Sequence, residues 1–449
     1  MGRNNFVFVY ENKNRELENI CLLAHELKRR GYTVGMVETW HAANYYVPPL
    51  DGDVIVTSAC YSNGTLKFQG SHVREMRKVV NLQWEQVFSK TREMDLTGTT
   101  AIKDKAKDVI HVSWGQANYD RLVNIYHVPP KNVRITGHLA MDFLRPFLCD
   151  YYMNRSEIDK LYPKFAGKKL YLFISSFSVA AIPKEYVNSK LLNNAFSDPQ
   201  YLQDFQLKSQ KTILEWVEKE LVKHPEVVFV YRPHPSEVNS QSVLDLQKRL
   251  DNFVVIEDYS VQQWILAADK VYTQTSTSIV QVYAAKRGCT IIRPYPMPEE
   301  FDMSIYDGCK CITEYDDFSA SFETIPTEFP INEELLLHNY YFDDQPVYLK
   351  ICDLLEETLK DDSYCLESPI HEPKRGFALL KVKFKKCVRR MLGRLYPTKV
   401  FGALIKCNKK IAEKASLANH SMLIEKKNYS TPEEIAAIEK KIAQSIKEA

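Results

Sequence analysis

Two series of alternating strand-like and helix-like segments constrain this chain more than any other feature. In the first series, the apolar run at residues 6–10 precedes a segment whose apolar residues recur every three or four positions until Gly31. The extended runs TVGMVE and DVIVTSAC follow. HVSWGQANYDRLVNIY then predicts a helix, and VPPKNVRITG predicts a proline-rich stop and a strand that ends at Gly137. Strands and helices alternating at this spacing predict a parallel, doubly wound Rossmann-like domain over residues 1–150.

A second series predicts a second Rossmann-like domain over residues 165–350. Its strand-like runs are KKLYLFISS, VVFVY, FVVIED, KVYTQ and CTIIRP, and its helix-like segments are ILEWVEKELVKHP, SVQQWILAAD and IVQVYAAKRG. The hydrophobic content of 45% is sufficient for two cores. We therefore predict an α/β protein in which two doubly wound parallel-sheet domains face each other across a cleft.

The C-terminal segment, residues 371–449, differs in charge. Residues 371–410 carry thirteen Lys and Arg and one acidic residue, although the net charge of the whole chain is only +2. In FALLKVKFKKCVRRMLGRLY, apolar residues recur at three and four positions between basic ones, which predicts a basic amphipathic helix. PTKVFGALIKCNKKIAEKA continues the pattern, and the spacing of Thr431 and Glu434 predicts a capping box for a final helix.

A basic amphipathic helix is attracted to anionic lipid, so we predict that residues 376–420 contact an anionic membrane surface. The alternative is a basic helix that is solvated or packed within the molecule. Nucleic acid is a poorer partner because aromatic residues are not interleaved as stacking platforms. The N-terminus has no signal-peptide pattern, and no apolar run reaches the length of a membrane span. We therefore expect a cytoplasmic protein on the inner face of the plasma membrane.

The stretch YRPHPSE provides the main candidate for chemistry. His234 lies between two prolines directly after VVFVY, so its backbone direction is fixed at the end of a strand, where open parallel sheets bind ligands. A histidine there can donate a hydrogen bond to a diphosphate or protonate a leaving phosphate. Arg232 can add positive charge, and Glu237 is a further cleft candidate. The alternative is a rigid turn whose histidine satisfies nearby carbonyls.

The loop in TQTSTSIVQV provides a second candidate. Ser276, Thr277 and Ser278 lie between a predicted strand and a helix that starts near Ile279, so their hydroxyls and the free backbone N–H groups suit an anion. Ser and Thr are also the commonest helix caps, and a cap requires no ligand. The pairing of this loop with His234 favours a phosphate site.

The first domain offers weaker candidates. Glu11 and Glu16 in ENKNRE follow the first strand, where Glu11 can act as the base for an acceptor hydroxyl; helix capping is the alternative. Gly70 in FQGSH and His138 in TGH occupy further plausible cleft loops, each with a simple turn as the alternative. The pair Asp51 and Asp53 precedes its strand, which favours a turn, and the cysteines form no CxxC pair. We predict no metal and no cofactor.

Three stretches resemble a known group of proteins: ENKNRELENICLLAHELKRRGY, VRITGHLAMDFLRP, and YRPHPSE followed by TQTSTSIVQVYAAKRG. The chain resembles, over residues 5–320, bacterial surface-polysaccharide glycosyltransferases of GT-B architecture. This group includes capsule and lipopolysaccharide biosynthesis proteins and is related to polysialyltransferases, capsule Kdo transferases and CDP-glycerol glycerophosphotransferases. The resemblance implies that His234, Ser276, Thr277 and Ser278 hold the phosphates of a nucleotide-activated donor.

The resemblance implies a metal-independent transferase that uses a CMP-, CDP- or UDP-linked donor and a glycan or lipid-linked acceptor. Two alternatives remain. The nucleotide-sugar 2-epimerases share the architecture, but they carry an SGG loop followed by glutamates where this chain has TSTSIVQV. A membrane-bound, non-catalytic scaffold is the other alternative.

Overall fold

The computed structural model describes residues 2–98, 100–148, 150–182, 187, 198–368, 370, 376–396, 398 and 409–446. Its first sheet has six parallel strands in the order β2-β1-β3-β4-β5-β6. Their bounds are β1 Asn4–Tyr10, β2 Val34–Glu38, β3 Gly52–Thr57, β4 Lys78–Asn81, β5 Ile110–Ser113 and β6 Val133–Ile135. Along β1, Phe6 and Phe8 face one core while Val7 and Val9 face another, so the sheet is covered on both sides.

The second sheet also has six parallel strands, in the order β12-β11-β10-β7-β8-β9. The bounds are β7 Lys169–Ile174, β8 Val227–Arg232, β9 Phe253–Val255, β10 Lys270–Thr273, β11 Cys289–Ile292 and β12 Cys311–Ile312. The predicted helix face formed by Ile213, Trp216, Val217 and Leu221 packs against this sheet. Both Rossmann-like sheets predicted from the sequence are therefore confirmed.

The helices of the described residues cover these sheets and continue into the C-terminal segment. Their bounds are α1 Glu18–Arg29, α2 Thr39–Asn44, α3 Asn63–Gly70, α4 Lys90–Glu93, α5 Gln116–Asp120, α6 Arg155–Leu161, α7 Pro199–Lys223, α8 Gln241–Arg249, α9 Val261–Ala267, α10 Ile279–Ala284, α11 Tyr315–Glu323, α12 Glu333–Asn339, α13 Val347–Lys360, α14 Gly376–Leu395, α15 Lys409–Asn428 and α16 Pro432–Ser445. In the part of the chain that the structure describes, no helix is long and apolar enough to cross a bilayer.

The sequence prediction was wrong at one strand and missed two others, β4 and the two-residue β12. The segment predicted as a helix from residue 111 begins with β5, whose four residues are buried, and the helix α5 starts only at Gln116. Strand β4 was not predicted. It is four residues long and lies between polar and charged residues, so it shows no clear alternation.

The two sheets are joined by close contacts near the end of the second series. The Tyr341 N–H donates to the Trp114 carbonyl at 2.7 Å, and the buried Asp142 carboxylate accepts from the backbone N–H groups of Val347 and Tyr348 at 3.0 and 2.7 Å. From there α13 returns to the first domain, where Ile351 and Leu355 join the core formed with β1 and α1. Most of the residues predicted for the cleft follow the carboxyl ends of these strands.

The C-terminal helices pack on the first domain. Helix α14 pairs with α15, α15 contacts α2, and α16 contacts α1. The predicted amphipathic helix is confirmed as α14, and Thr431 caps α16 by accepting from the Glu434 N–H at 3.2 Å. The parts of the predicted basic segment at 371–375, 397, 399–408 and 447–449 lie outside the described residues.

Candidate functional site

Two strand ends of the second sheet, with a third between them, carry the polar residues predicted for phosphate binding. In the order β10-β7-β8, strand β8 ends before His234 and β10 ends before the loop of Ser276 to Ser278. Because β7 lies between them, the two predicted elements are separated by two strand spacings, about 10 Å. The loop after β7, with Ser175 and Ser176, therefore fills the middle of this edge, and it was not predicted from the sequence as part of the site.

His234 presents a hydrogen-bond donor to the cleft. Its Nδ1 accepts from the Ser236 N–H at 3.2 Å and lies 2.8 Å from the Ser236 hydroxyl. A backbone N–H can only donate, so the neutral ring carries its proton on Nε2. The His234 side chain is exposed. Desolvation by the protein atoms around it nevertheless lowers its pKa. At neutral pH the imidazole is therefore uncharged and offers Nε2–H to a ligand.

Glu237 fixes the turn that holds His234. Its buried carboxylate accepts from the His234 N–H at 3.0 Å, and from the hydroxyls of Ser175 and Tyr231 at 2.6 Å each. Burial raises the pKa of Glu237. These bonds link the ends of β7 and β8. Glu237, which was predicted as a cleft residue, therefore binds protein groups around His234.

The Arg232 guanidinium is occupied by backbone carbonyls. It donates to the carbonyls of Ile256 at 3.1 Å and Asp258 at 2.7 Å, and also to that of Tyr259. Burial lowers the pKa of Arg232 to about 10. Its contacts hold the loop after β9, where Tyr259 has φ +62°, and a phosphate-binding role for Arg232 stays a prediction.

The loop after β10 combines internal hydrogen bonds with unpaired polar groups. The Ser276 hydroxyl accepts from the Ser278 N–H at 3.2 Å, and the Ser276 N–H donates to the Tyr306 hydroxyl at 2.6 Å. Thr277 is exposed. Three buried polar atoms at this edge have no partner among the described residues: Ser176 Oγ, Gln274 Nε2 and Thr275 Oγ1. Unpaired buried polar groups are costly, and these three lie beside the predicted phosphate loop without being open to solvent.

An acidic cluster lies at the carboxyl end of β1. A π-helical turn, Lys13–Leu17, places Glu16 in the core, where its carboxylate accepts from the Glu11 N–H at 2.8 Å and pairs with Arg15 at 2.8 Å. Glu11 accepts from Gln69 Nε2 at 2.8 Å. Burial and the adjacent charge of Glu16 raise the pKa of Glu11 to about 7. Glu16 shapes the turn, and Glu11 has the proton affinity of a general base.

Two charged residues beside Glu11 and Glu16 lie close enough to His234 to influence it electrostatically. Arg15 also pairs with Glu85, in the loop after β4, at 2.8 Å. The charges of both Glu85 and Arg15 influence the pKa of His234, in opposite directions. Arg15, Glu85 and Gln69 were not predicted from the sequence as site residues. Arg15 lies within the quoted stretch ENKNRE, whereas Glu85 follows the strand that was not predicted.

The remaining first-domain candidates have protein partners. The His138 ring contacts the Trp114 ring at a tilt of 55° with centroids 4.0 Å apart, its Nδ1 accepts from the Ala140 N–H, and burial lowers the pKa of His138 to about 3. Gly70 is buried at the end of α3, and its carbonyl accepts from the Val73 N–H. In this stretch it is the neighbouring Gln69 that reaches the acidic cluster.

A separate cavity of about 990 Å³ includes none of the predicted site residues. It lies between residues 141–147 of the first domain and residues 283–289 of the second, with Phe329 and Phe342 on its wall. Among the described residues, no group of three or more His, Cys, Asp or Glu has an arrangement that could hold a metal ion.

Comparison with known proteins identifies the architecture. No protein-family model and no curated protein matches the sequence. Two solved structures of histidine variants of the wall teichoic acid polymerase TagF are similar, each at 12% identity and covering 89% of that chain. One covers 79% of this chain with a TM-score of 0.54, and the other 80% with a TM-score of 0.52. The fold is GT-B.

A UDP-GlcNAc 2-epimerase from Methanocaldococcus jannaschii, solved with UDP-GlcNAc and UDP, also matches. It is 10% identical, with a TM-score of 0.48, and the match covers 78% of this chain and 99% of the epimerase. At such identities the likeness concerns the fold alone, so the function must be argued from the site.

Proposed function

We propose that the protein is a glycosyltransferase, or a polyol-phosphate transferase, that uses a CMP-, CDP- or UDP-linked donor in bacterial surface-polysaccharide synthesis. One observation carries this proposal. An exposed, neutral histidine and a loop of three hydroxyl residues, Ser276 to Ser278, follow strands β8 and β10 of the second sheet, and a carboxylate with a pKa of about 7 follows β1 of the first. The histidine and the hydroxyl groups suit a phosphate that must leave, and the carboxylate suits a hydroxyl that must lose its proton.

In the proposed reaction, Glu11 takes the proton of the acceptor hydroxyl. The acceptor oxygen bonds to the transferred group, and the bond from that group to the nucleotide phosphate breaks, so the electron pair leaves on a phosphate oxygen. His234 Nε2–H and the hydroxyls of Ser276, Thr277 and Ser278 donate to that oxygen as its charge develops. The proposal requires neither a metal ion nor a cofactor.

We further propose a glycan or lipid-linked acceptor and a location on the inner face of the plasma membrane. Support comes from α14, which carries seven Lys and Arg and no acidic residue between residues 376 and 396. The relation to the capsule and teichoic acid transferases likewise rests on the resemblance of the two phosphate-binding stretches.

The test is release of nucleotide from candidate donors. With donor and acceptor present, a transferase releases nucleotide, a 2-epimerase changes the sugar without release, and a scaffold does neither. His234→Ala should lower the rate about 10²–10³-fold, as loss of a donor to a developing oxyanion does. The control is His338→Ala, at an exposed histidine on α12. Wild-type transfer by His234→Ala would overturn the assigned role.

A further inference from the structure

Helix α14 carries five of its large apolar residues on the outside of the molecule. Phe377, Leu380, Phe384, Met391 and Leu395 are 83%, 62%, 70%, 53% and 40% exposed. At 100° per residue these five side chains fall within about 60° of one another on the helix surface. We call this set the apolar stripe. It runs along most of the 20 residues of α14, about 30 Å.

The opposite side of α14 is covered by the protein. Lys386 donates to the carbonyls of Ala42 and Tyr45, and the Arg390 guanidinium lies 4.7 Å from the centre of the Tyr45 ring. Gly393 is buried so tightly that a Cβ there would lie 2.9 Å from Met422 Sδ of α15. The helix is therefore docked through part of its basic side, and the apolar stripe faces away.

Basic residues that are not used in this docking flank the apolar stripe. Lys381 and Lys385 lie on one side of it and Arg394 on the other, and all three are exposed. An apolar stripe bordered by cations complements a bilayer surface, where acyl chains take the apolar groups and anionic headgroups take the charges. A second copy of the chain is a poor partner, because two such helices would bring fourteen cations together without an acid.

We propose that the apolar stripe of α14, with Lys381, Lys385 and Arg394, is the surface by which this protein inserts into an anionic membrane interface. The docked cations Lys386 and Arg390 hold the helix to α2 and do not bind lipid. The basic residues of α14 therefore fall into a docked set and a lipid-facing set, which the sequence pattern alone does not distinguish.

The same helices connect the membrane surface to the acidic cluster. Asn428, at the end of α15, accepts from the Lys13 N–H at 3.0 Å, two residues from Glu11. The Lys13 ammonium pairs with Glu434 of α16. The bilayer is thus placed on the acceptor side of the cleft, a step that rests on the proposed function and on a lipid-linked acceptor.

The test is sedimentation of the full chain with vesicles, made either of phosphatidylcholine alone or of phosphatidylcholine with 30% phosphatidylglycerol. The variant that removes part of the apolar stripe carries Phe377→Ser and Phe384→Ser together. Each Phe→Ser change should lower partitioning about tenfold. The matched control is Val222→Ser with Val238→Ser, which replaces two apolar residues of the second domain that are 68% and 53% exposed. The control should bind like the wild type.

Lys381→Gln with Lys385→Gln should lower binding about fivefold per residue, and only to the anionic vesicles. The proposal would be overturned if the Phe377→Ser, Phe384→Ser variant bound vesicles as well as the wild type does, or if the wild type did not bind them. It would also be overturned if the apolar stripe were needed for a dimer and the protein did not bind vesicles. Nucleotide binding measured in solution reports separately on the cleft. If the protein bound vesicles but no nucleotide, the membrane-binding surface on α14 would be supported and the proposed transferase function would be rejected.

Discussion

Replacing Glu11 by Gln should make the protein more stable at alkaline pH, because the largely buried Glu11 carboxylate is costly to ionise in the fold. The pKa of Glu11 is raised from 4.5 to about 7 by burial and by the charge of Glu16. A group whose pKa is higher in the folded state contributes stability below pH 4.5 and loses it as pH rises through 7. The difference of 2.5 pKa units corresponds to about 3 kcal/mol of unfolding free energy.

The assay is urea unfolding of wild type and Glu11→Gln at pH 5, 6, 7 and 8. The stability of the variant relative to wild type should rise across this range by up to about 3 kcal/mol, while acceptor-dependent nucleotide release is lost. Glu215→Gln is the control, since Glu215 forms a 4.0 Å exposed pair on α7 and such pairs contribute little. A stability difference that stays constant with pH would refute the assigned proton affinity of Glu11.

Two further predictions concern the supports of the site. Glu237→Ala leaves the Tyr231 and Ser175 hydroxyls and the His234 N–H without their buried acceptor, and should lower the unfolding free energy by about 3 kcal/mol or more and weaken nucleotide binding. Gly115→Ala places a Cβ 2.4 Å from the Asn339 backbone and should cost about 1–3 kcal/mol. Gly64→Ala, with no contact closer than 3.5 Å, should be neutral or stabilising; an equal loss in both glycine variants would contradict this account.

Strands with long apolar runs could be predicted from the sequence, but their lateral order could not. The runs that became β7, β8 and β10 were all recognised, because β-branched and aromatic residues in buried strands are distinctive. Their order in the sheet depends on where the helical connection after each strand packs. The sequence therefore did not show that β7 lies between the strands that precede His234 and the Ser276 to Ser278 loop, and Ser176 was missed.

The acidic cluster shows a second limit of sequence reasoning. Glu11 and Glu16 were both candidates, but their roles separate only because the π-helical turn buries Glu16 and leaves Glu11 partly accessible. The helix α14 shows a third. Its pattern predicts two faces, whereas the docking of Lys386 on α2 determines which face is covered.

The most direct test of the central claim is the crystal structure of the protein soaked in turn with CMP, CDP and UDP. The account predicts a nucleotide on the second domain, with phosphate oxygens within hydrogen-bond distance of His234 Nε2 and of the hydroxyls of the Ser276 to Ser278 loop. A nucleotide bound instead in the cavity beside Phe329 and Phe342, or phosphates turned away from His234, would contradict it.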